Sequence, residues 1–197
     1  MDKKAVAQQC KISENKIVKA LPVVRDLTDY VDESAFDKTT FFYPTSVGIY
    51  KNNAVVFEAS KKLDSDNVKH SVVLTLDESG SKDSVKCVGR LSYEEVLKCY
   101  NKSTLIFASY IETFGYPMAE ASKMGAIVLA SDCPFSREVL EGYDNAYFFS
   151  PNDSDALAEL MKKVVSGEIF KKAISCENSI EQKDGWKTVI ETVLSVK

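Results

Sequence analysis

Between Thr39 and Val165 short apolar runs alternate with amphipathic stretches of helical length, and few folds accommodate that alternation. The runs Thr39–Thr45, Ser71–Leu76, Val85–Val88, Thr104–Ala108, Ala126–Ala130 and Ala146–Phe149 predict strands. Helices are expected over Asn52–Leu63, Ser92–Tyr100, the segment holding Met118–Lys123, Ser136–Glu141 and Asp153–Val165. Ser92 and Glu95 have the spacing of a capping box, Asp153 or Ser154 caps the last of these helices, and Gly167 ends it. Strands separated by helices need crossover connections, hence a parallel sheet covered on both faces. The expected fold class is α/β: a doubly wound, Rossmann-like parallel sheet of about six strands with flanking helices. Such sheets bind ligands at the carboxyl ends of their strands. Here those loops begin at about Tyr43, Thr75, Cys87, Ser109, Ala130 and Phe149.

The flanks read differently. Residues 2–20 predict an amphipathic helix with a restart at Ser13-Glu14, and Pro22 breaks it. Residues 26–38 (DLTDYVDESAFDK) are acidic and polar and read as a linker or irregular segment. Further helices are expected over about Glu168–Cys176 and over Glu181–Val196, which carries the lone Trp186. A chain of 197 residues, 45% hydrophobic, has room for one ordinary domain or slightly more. Its net charge of −4 argues against broad nucleic-acid affinity but leaves room for a local basic pocket for phosphate. The five Cys are odd in number and widely spaced, so reduced thiols and a cytoplasmic setting are expected. No Cys/His spacing fits a metal. The only histidine, His70, sits at the polar start of a strand and reads as structural. No apolar segment follows Met1-Asp2-Lys3-Lys4 as in a signal peptide, and no run approaches the ~18 apolar residues of a membrane span.

Chemistry concentrates between Ser103 and Pro151. Glu112 lies in the loop Tyr110–Gly115, Gly115 gives backbone freedom, Pro117 suits a first helical position, and Glu120 sits one turn inside. The amides of Phe114, Gly115 and Tyr116 would then point out of a helix N-terminus, a ready anion site. A carboxylate on each side of it points to a ligand with both phosphate and hydroxyl groups, such as a nucleotide-sugar. Missing motifs narrow the choice. There is no GxGxxG after a strand, no GxxxxGK[ST] loop and no GxSxG or Cys/His nucleophile arrangement. Dinucleotide dehydrogenases, P-loop nucleotidases and such hydrolases are therefore disfavoured.

The stretch resembles the donor-binding, C-terminal half of retaining glycosyltransferases of the GT-B fold, family 4 type (group 1). The residues that carry the resemblance are Glu112 and Glu120, Phe114-Gly115-Tyr116-Pro117, Gly125-Ala126-Ile127-Val128, Ala130-Ser131-Asp132, Arg137-Glu138-Val139-Leu140, and Pro151 with Asp153. With 15 Glu in the chain, about one E-x7-E pair is expected by chance, so the ordered run of motifs is the signal. The resemblance extends back to about Thr39. It implies that Glu112 contacts the transferred sugar, that Glu120 accepts from the ribose hydroxyls, and that the Phe114–Tyr116 amides face sugar or diphosphate. Lys51 of Tyr50-Lys51-Asn52 becomes the cation for the diphosphate. The family's usual Arg a few residues earlier is missing, which leaves the hydroxyls of Thr45 or Ser46 as neutral donors. Arg90 and Leu91 fall where backbone groups read the base edge and an apolar side chain packs on its face. Each has an ordinary alternative: Glu112 and Arg90 as solvated loop residues, Glu120 as a first-turn Glu favoured by the helix dipole, Lys51 as a surface helix lysine.

The resemblance implies transfer of a sugar from a nucleoside-diphosphate sugar to an acceptor hydroxyl with retention, in polysaccharide or glycan biosynthesis. It implies no metal and no cofactor beyond the sugar nucleotide as co-substrate. The family frame divides the chain into residues 1–38, a helix and linker from the end of an N-terminal domain, 39–180, the nucleotide-sugar-binding domain, and 181–197, a crossover helix. A glycan or lipid-linked acceptor would belong to that N-terminal domain, mostly missing here, so the chain alone is expected to be inactive. Dimerisation through an exposed domain interface, and peripheral association with the inner face of a membrane, are compatible with this. A split-transferase subunit and a non-catalytic nucleotide-sugar-binding scaffold remain alternatives. A receiver-like signalling domain ranks last, because Pro44-Thr45-Ser46 supplies no acidic cluster.

Overall fold

A computed structural model of the chain describes residues 3–20, 22–173 and 185–195. It divides into two compact units, residues 26–179 and residues 1–25 with 180–197. The larger unit takes in residues 26–38 as well as the segment from Thr39 onward.

The larger unit holds a single six-stranded, wholly parallel sheet. In chain order its elements are β1 (Thr40–Tyr43), α2 (Asn53–Ser65), β2 (Ser71–Leu74), β3 (Val85–Cys87), α3 (Tyr93–Lys102), β4 (Thr104–Phe107), α4 (Tyr116–Lys123), β5 (Val128–Ser131), α5 (Pro134–Val139), β6 (Ala146–Phe149) and α6 (Ser154–Ser166); α1 (Lys3–Cys10) precedes them and α7 (Gly185–Ser195) follows. The strand order is β3-β2-β1-β4-β5-β6. After β3 the chain crosses back past β1 to lay down β4, with Phe41 beside Thr104 and Phe42 beside Leu105. The direction of winding therefore reverses between β1 and β4, and right-handed crossovers then place helices on opposite faces of the two halves.

The central strands are buried along their lengths. Phe41, Phe42, Tyr43, Leu105, Ile106, Phe107, Val128, Leu129 and Ala130 are all at most 1% exposed. Toward the edges the runs alternate instead: β2 buries Val72 and Leu74, and in β6 only Phe149 is buried. Tyr147 and Phe148 are half-buried because β6 is an edge strand. Helices α2 and α6 pack on each other; α2 buries Val55, Val56, Ala59 and Leu63, and α6 buries Leu157, Ala158 and Met161.

Most local signals act as read. Ser92 and Glu95 form the capping box of α3, Asp153 caps α6 by accepting from the Ala156 amide at 2.9 Å, and Gly167 closes α6 at φ 88°. Two helical expectations fail. No helix forms over 168–173, and the rest of Glu168–Cys176 lies outside the described residues. The reason is tertiary: Asn145 accepts from the Lys172 amide at 2.8 Å and donates to the Lys172 carbonyl at 2.9 Å, so that backbone is committed elsewhere. The helix expected over residues 2–20 stops at Cys10, where Lys11 turns left-handed at φ 53°, and the restart is only a 3-10 turn, Glu14–Lys16.

Residues 26–38 form an irregular segment with two 3-10 turns. Asp26, Asp32 and Asp37 each accept from the hydroxyl and the backbone amide of the residue two positions on, and those bonds hold their carboxyls below the usual range. Asn101 of α3 accepts from the Asp32 amide at 3.0 Å and donates to the Tyr30 carbonyl at 2.5 Å, pinning the segment down. His70 is buried between the Ser60 hydroxyl at 2.7 Å and the Val68 carbonyl at 2.8 Å, a structural placement. Cys10, Cys87, Cys99 and Cys133 carry free thiols, and Cys176 lies outside the described residues.

Candidate functional site

The reversal between β1 and β4 leaves a crevice above their carboxyl ends, bordered by residues 44–52 on one side and 108–115 on the other. Two backbone facts shape the first loop. A 3-10 turn, Ile49–Lys51, follows Gly48, and Asn52 then takes a left-handed conformation at φ 52° before α2 begins. Asn52 is held there by donating to the Pro151 carbonyl at 2.7 Å. The second loop joins the first through the Tyr110 amide, which donates to the Tyr50 carbonyl at 2.8 Å. Beneath them Tyr43 donates to the Lys51 carbonyl at 2.6 Å and lies 3.0 Å from the Ser109 hydroxyl. Burial pushes the Tyr43 hydroxyl up to about 12, so it stays protonated in this seat.

Lys51 and Glu112 meet across the crevice at 2.5 Å, each side chain 17% exposed. They line a cavity of about 200 Å³ with Phe107, Thr113, Phe114, Gly115, Tyr116 and Pro117. The helix start behind it has the expected form. Gly115 is the N-cap of α4 at φ 89°, and Pro117 is in the first turn. A methyl group on Gly115 would lie 2.6 Å from Met118 Cε and 3.7 Å from Phe107 Cζ, so the turn is both left-handed and close-packed. The backbone bonds of α4 begin with the Met118 and Ala119 amides, both to the Gly115 carbonyl. The amides of Phe114, Gly115 and Tyr116 lie ahead of these and take no acceptor from the described residues. Phe114 and Tyr116 pack edge to face at 5.2 Å, which stiffens the mouth of the cavity.

Glu120 does not line this cavity. It stands on the α3 side, where Tyr93 donates to Oε1 at 3.0 Å and Tyr100 to Oε2 at 3.3 Å. Arg90 is exposed and Leu91 half-buried, and both immediately precede the α3 cap. The structure thus places the expected residues in two groups: Lys51, Glu112, Phe114, Gly115 and Tyr116 around the cavity, and Glu120 beside α3, whose first turn follows Arg90 and Leu91. Thr45 is tied into the protein. It is buried, its hydroxyl donates to Asn53 Oδ1 at 2.8 Å, and its backbone exchanges two bonds with the Thr75 hydroxyl at 2.7 and 2.6 Å. Its donor is directed to the first residue of α2. Ser46 is exposed, and its carbonyl accepts from Asn53 at 3.0 Å. Asp132 and Arg137 pair through 2.7 and 2.9 Å bonds, with the guanidinium 3.7 Å from the Phe148 ring.

Sequence reasoning missed Tyr93 and Tyr100. Their seven-residue separation on a helix was the available signal, since it puts both on one face.

The doubly wound sheet thus carries an ion pair and a helix N-terminus at one cavity above its switch point. A match to the family of glycosyl transferases group 1 covers residues 32–183, and the chain belongs to that family. No curated protein sequence matches it significantly. Among solved structures it is similar to the lipopolysaccharide outer core galactosyltransferase WaaB, with TM-score 0.74 and 18% identity, over 98% of this chain and 59% of that one. It is similar to a glycosyltransferase from Rickettsia africae ESF-5, with TM-score 0.69 and 20% identity, over 96% of this chain and 56% of that one. The C-terminal domain of LpcC, a group 1 glycosyl transferase family protein from Francisella tularensis, matches with TM-score 0.56 and 16% identity, over 87% of this chain and 94% of that domain. The chain thus spans little more than half of the first two and nearly all of the third. These likenesses show the fold, a GT-B C-terminal domain. Among the described residues no helix is long and apolar enough to cross a membrane.

Proposed function

We propose that residues 26–179 bind the nucleoside-diphosphate-sugar donor of a retaining glycosyl transfer. The observation that carries this reading is the Lys51–Glu112 pair spanning the switch-point crevice beside the Phe114–Tyr116 amides. It puts a cation, a carboxylate and a helix N-terminus within one cavity. The diphosphate takes the amides and Lys51, which balance the charge that grows on it as the sugar–oxygen bond breaks. Glu112, released from Lys51 as the anion arrives, receives the sugar's hydroxyls. Glu120 accepts from the ribose, because an ionised carboxylate is acceptor-only and suits a diol with two donors. Leu91 packs on the base and the backbone at Arg90 reads its edge. No metal or cofactor enters this scheme. The acceptor hydroxyl, of a glycan or lipid-linked sugar, is presented by a lobe other than residues 26–179.

A second reading, a non-catalytic nucleotide-sugar binder, is favoured by one observation: the Thr45 hydroxyl is committed to Asn53, so it adds nothing to Lys51 in neutralising a leaving group. Calorimetric titration with UDP, GDP, ADP and their sugar conjugates, on the chain and on Glu120→Ala, tests the binding claim. Saturable binding of one nucleotide that the substitution abolishes is the expected result. No binding by a folded chain refutes the donor-site reading.

A further inference from the structure

Two tyrosines outside the ligand-touching set close on Glu120. Tyr93 opens α3 and Tyr100 lies seven residues on, so both face one side of the helix. Their hydroxyls take one carboxylate oxygen each, at 3.0 Å on Oε1 and 3.3 Å on Oε2. The terminal torsion of a glutamate is broad and shallow, and two donors on opposite oxygens set the plane that it leaves free. The two tyrosines are not equivalent. Tyr100 is buried, 1% exposed, while Tyr93 is 40% exposed. Burial raises the Tyr100 hydroxyl well above its usual range and the Glu120 charge adds to it, so Tyr100 is a permanent donor and a fixed anchor. Tyr93 completes the arrangement from the open side. Its backbone is stiff, because the Ser92 amide and hydroxyl both donate to Glu95 Oε2 at 2.7 Å and the Glu95 amide returns a bond to Ser92 at 3.3 Å.

We infer that Tyr93 is a positioning residue that holds the Glu120 carboxylate in the plane needed to take both hydroxyls of a vicinal diol, and that it thereby makes the site selective for ribonucleotides over 2′-deoxyribonucleotides. The inference rests on the reading of Glu120 as the ribose acceptor. Tyr93 acts through Glu120 and not by touching the ligand. A carboxylate held in plane meets two donors at once, whereas one free to rotate satisfies one donor nearly as well as two. Loss of the Tyr93 hydroxyl therefore hurts the diol more than the single hydroxyl.

The test uses Tyr93→Phe, which keeps the ring and removes the hydroxyl, with Glu120→Gln and the double variant. Each is titrated with whichever of UDP, GDP and ADP the chain binds, and with the 2′-deoxy counterpart. Tyr93→Phe should weaken the ribonucleotide about tenfold, the low end for a hydrogen bond to a charged group, because the residue is part-exposed. It should change the deoxynucleotide by less than about twofold, and should add less than about twofold on the Glu120→Gln background, as expected for coupled residues. An equal loss for both nucleotides, or an undiminished loss on the Glu120→Gln background, overturns the positioning role and leaves the donor-site reading intact. Failure of the unaltered chain to bind any of the three overturns both.

Discussion

Lys51→Met isolates the electrostatics of the crevice without reference to any ligand. The pair is 2.5 Å apart with each side chain 17% exposed, and Phe107 and Phe114 line the same cavity. Methionine keeps most of the stem's packing but leaves the Glu112 carboxylate short of its cation. Exposed pairs contribute about 0–1 kcal/mol, whereas orphaning a fully buried charge costs about 3–5 kcal/mol. A pair five-sixths buried lies between, so a loss of about 2 kcal/mol is expected. At about 2–4 °C per kcal/mol for a domain of this size, Tm should fall by roughly 4–8 °C. Glu112→Gln added to Lys51→Met removes the orphaned charge and should recover more than half of the loss. Glu112→Gln alone should cost less than Lys51→Met, because the lysine stem can carry its ammonium out to water. Thermal melts by circular dichroism at neutral pH, with urea titrations alongside, read all four proteins. If Lys51→Met melts within a degree of the parent, or if the double variant melts no higher than Lys51→Met, the carboxylate is not desolvated and the reasoning for a pre-formed charged crevice fails.

Alkali should unfold the protein in a defined window. The Tyr43 hydroxyl is pushed from 10 up to about 12 by burial, so the unfolded chain loses this proton first; stability is whole below pH 10 and falls by roughly 3 kcal/mol as pH rises to 12. Burial moves Tyr100 and Tyr143 the same way, so absorbance at 295 nm should show these three of nine tyrosines ionising only with the loss of circular dichroism. Gly115→Ala should cost about 1–2 kcal/mol from its left-handed backbone alone, and nucleotide affinity should fall further than Tm predicts because the amides of the turn move. Asp153→Ala removes the cap on the Ala156 amide and should cost about 1 kcal/mol with nucleotide binding unchanged, read by melt and titration together.

What the amino-acid order determines by itself is what is decided within a turn of chain. The Ser92–Glu95 box, the Asp153 cap, the Gly167 stop and the Gly115-Tyr116-Pro117 start all work through bonds or backbone conformations spanning at most four residues, and all occur where read. The alternation of apolar runs likewise suffices for a parallel α/β sheet, since buried strands need crossovers whatever their order. The strand order itself was not legible, and the site depends on it. Lys51 and Glu112 are 61 residues apart and meet only because β4 lies beside β1. Nothing local marks the Thr45 hydroxyl as spent on Asn53, or Asn145 as the residue that keeps 168–173 from coiling. Tyr93 and Tyr100 showed their shared face but not the carboxylate it meets, which comes from α4. Capping and turn energies are settled among neighbours in sequence, whereas charge pairing and the burial of donors are settled by which loops the sheet brings together. Local structure was therefore readable from the chain, and the chemistry of the crevice was decided by its fold.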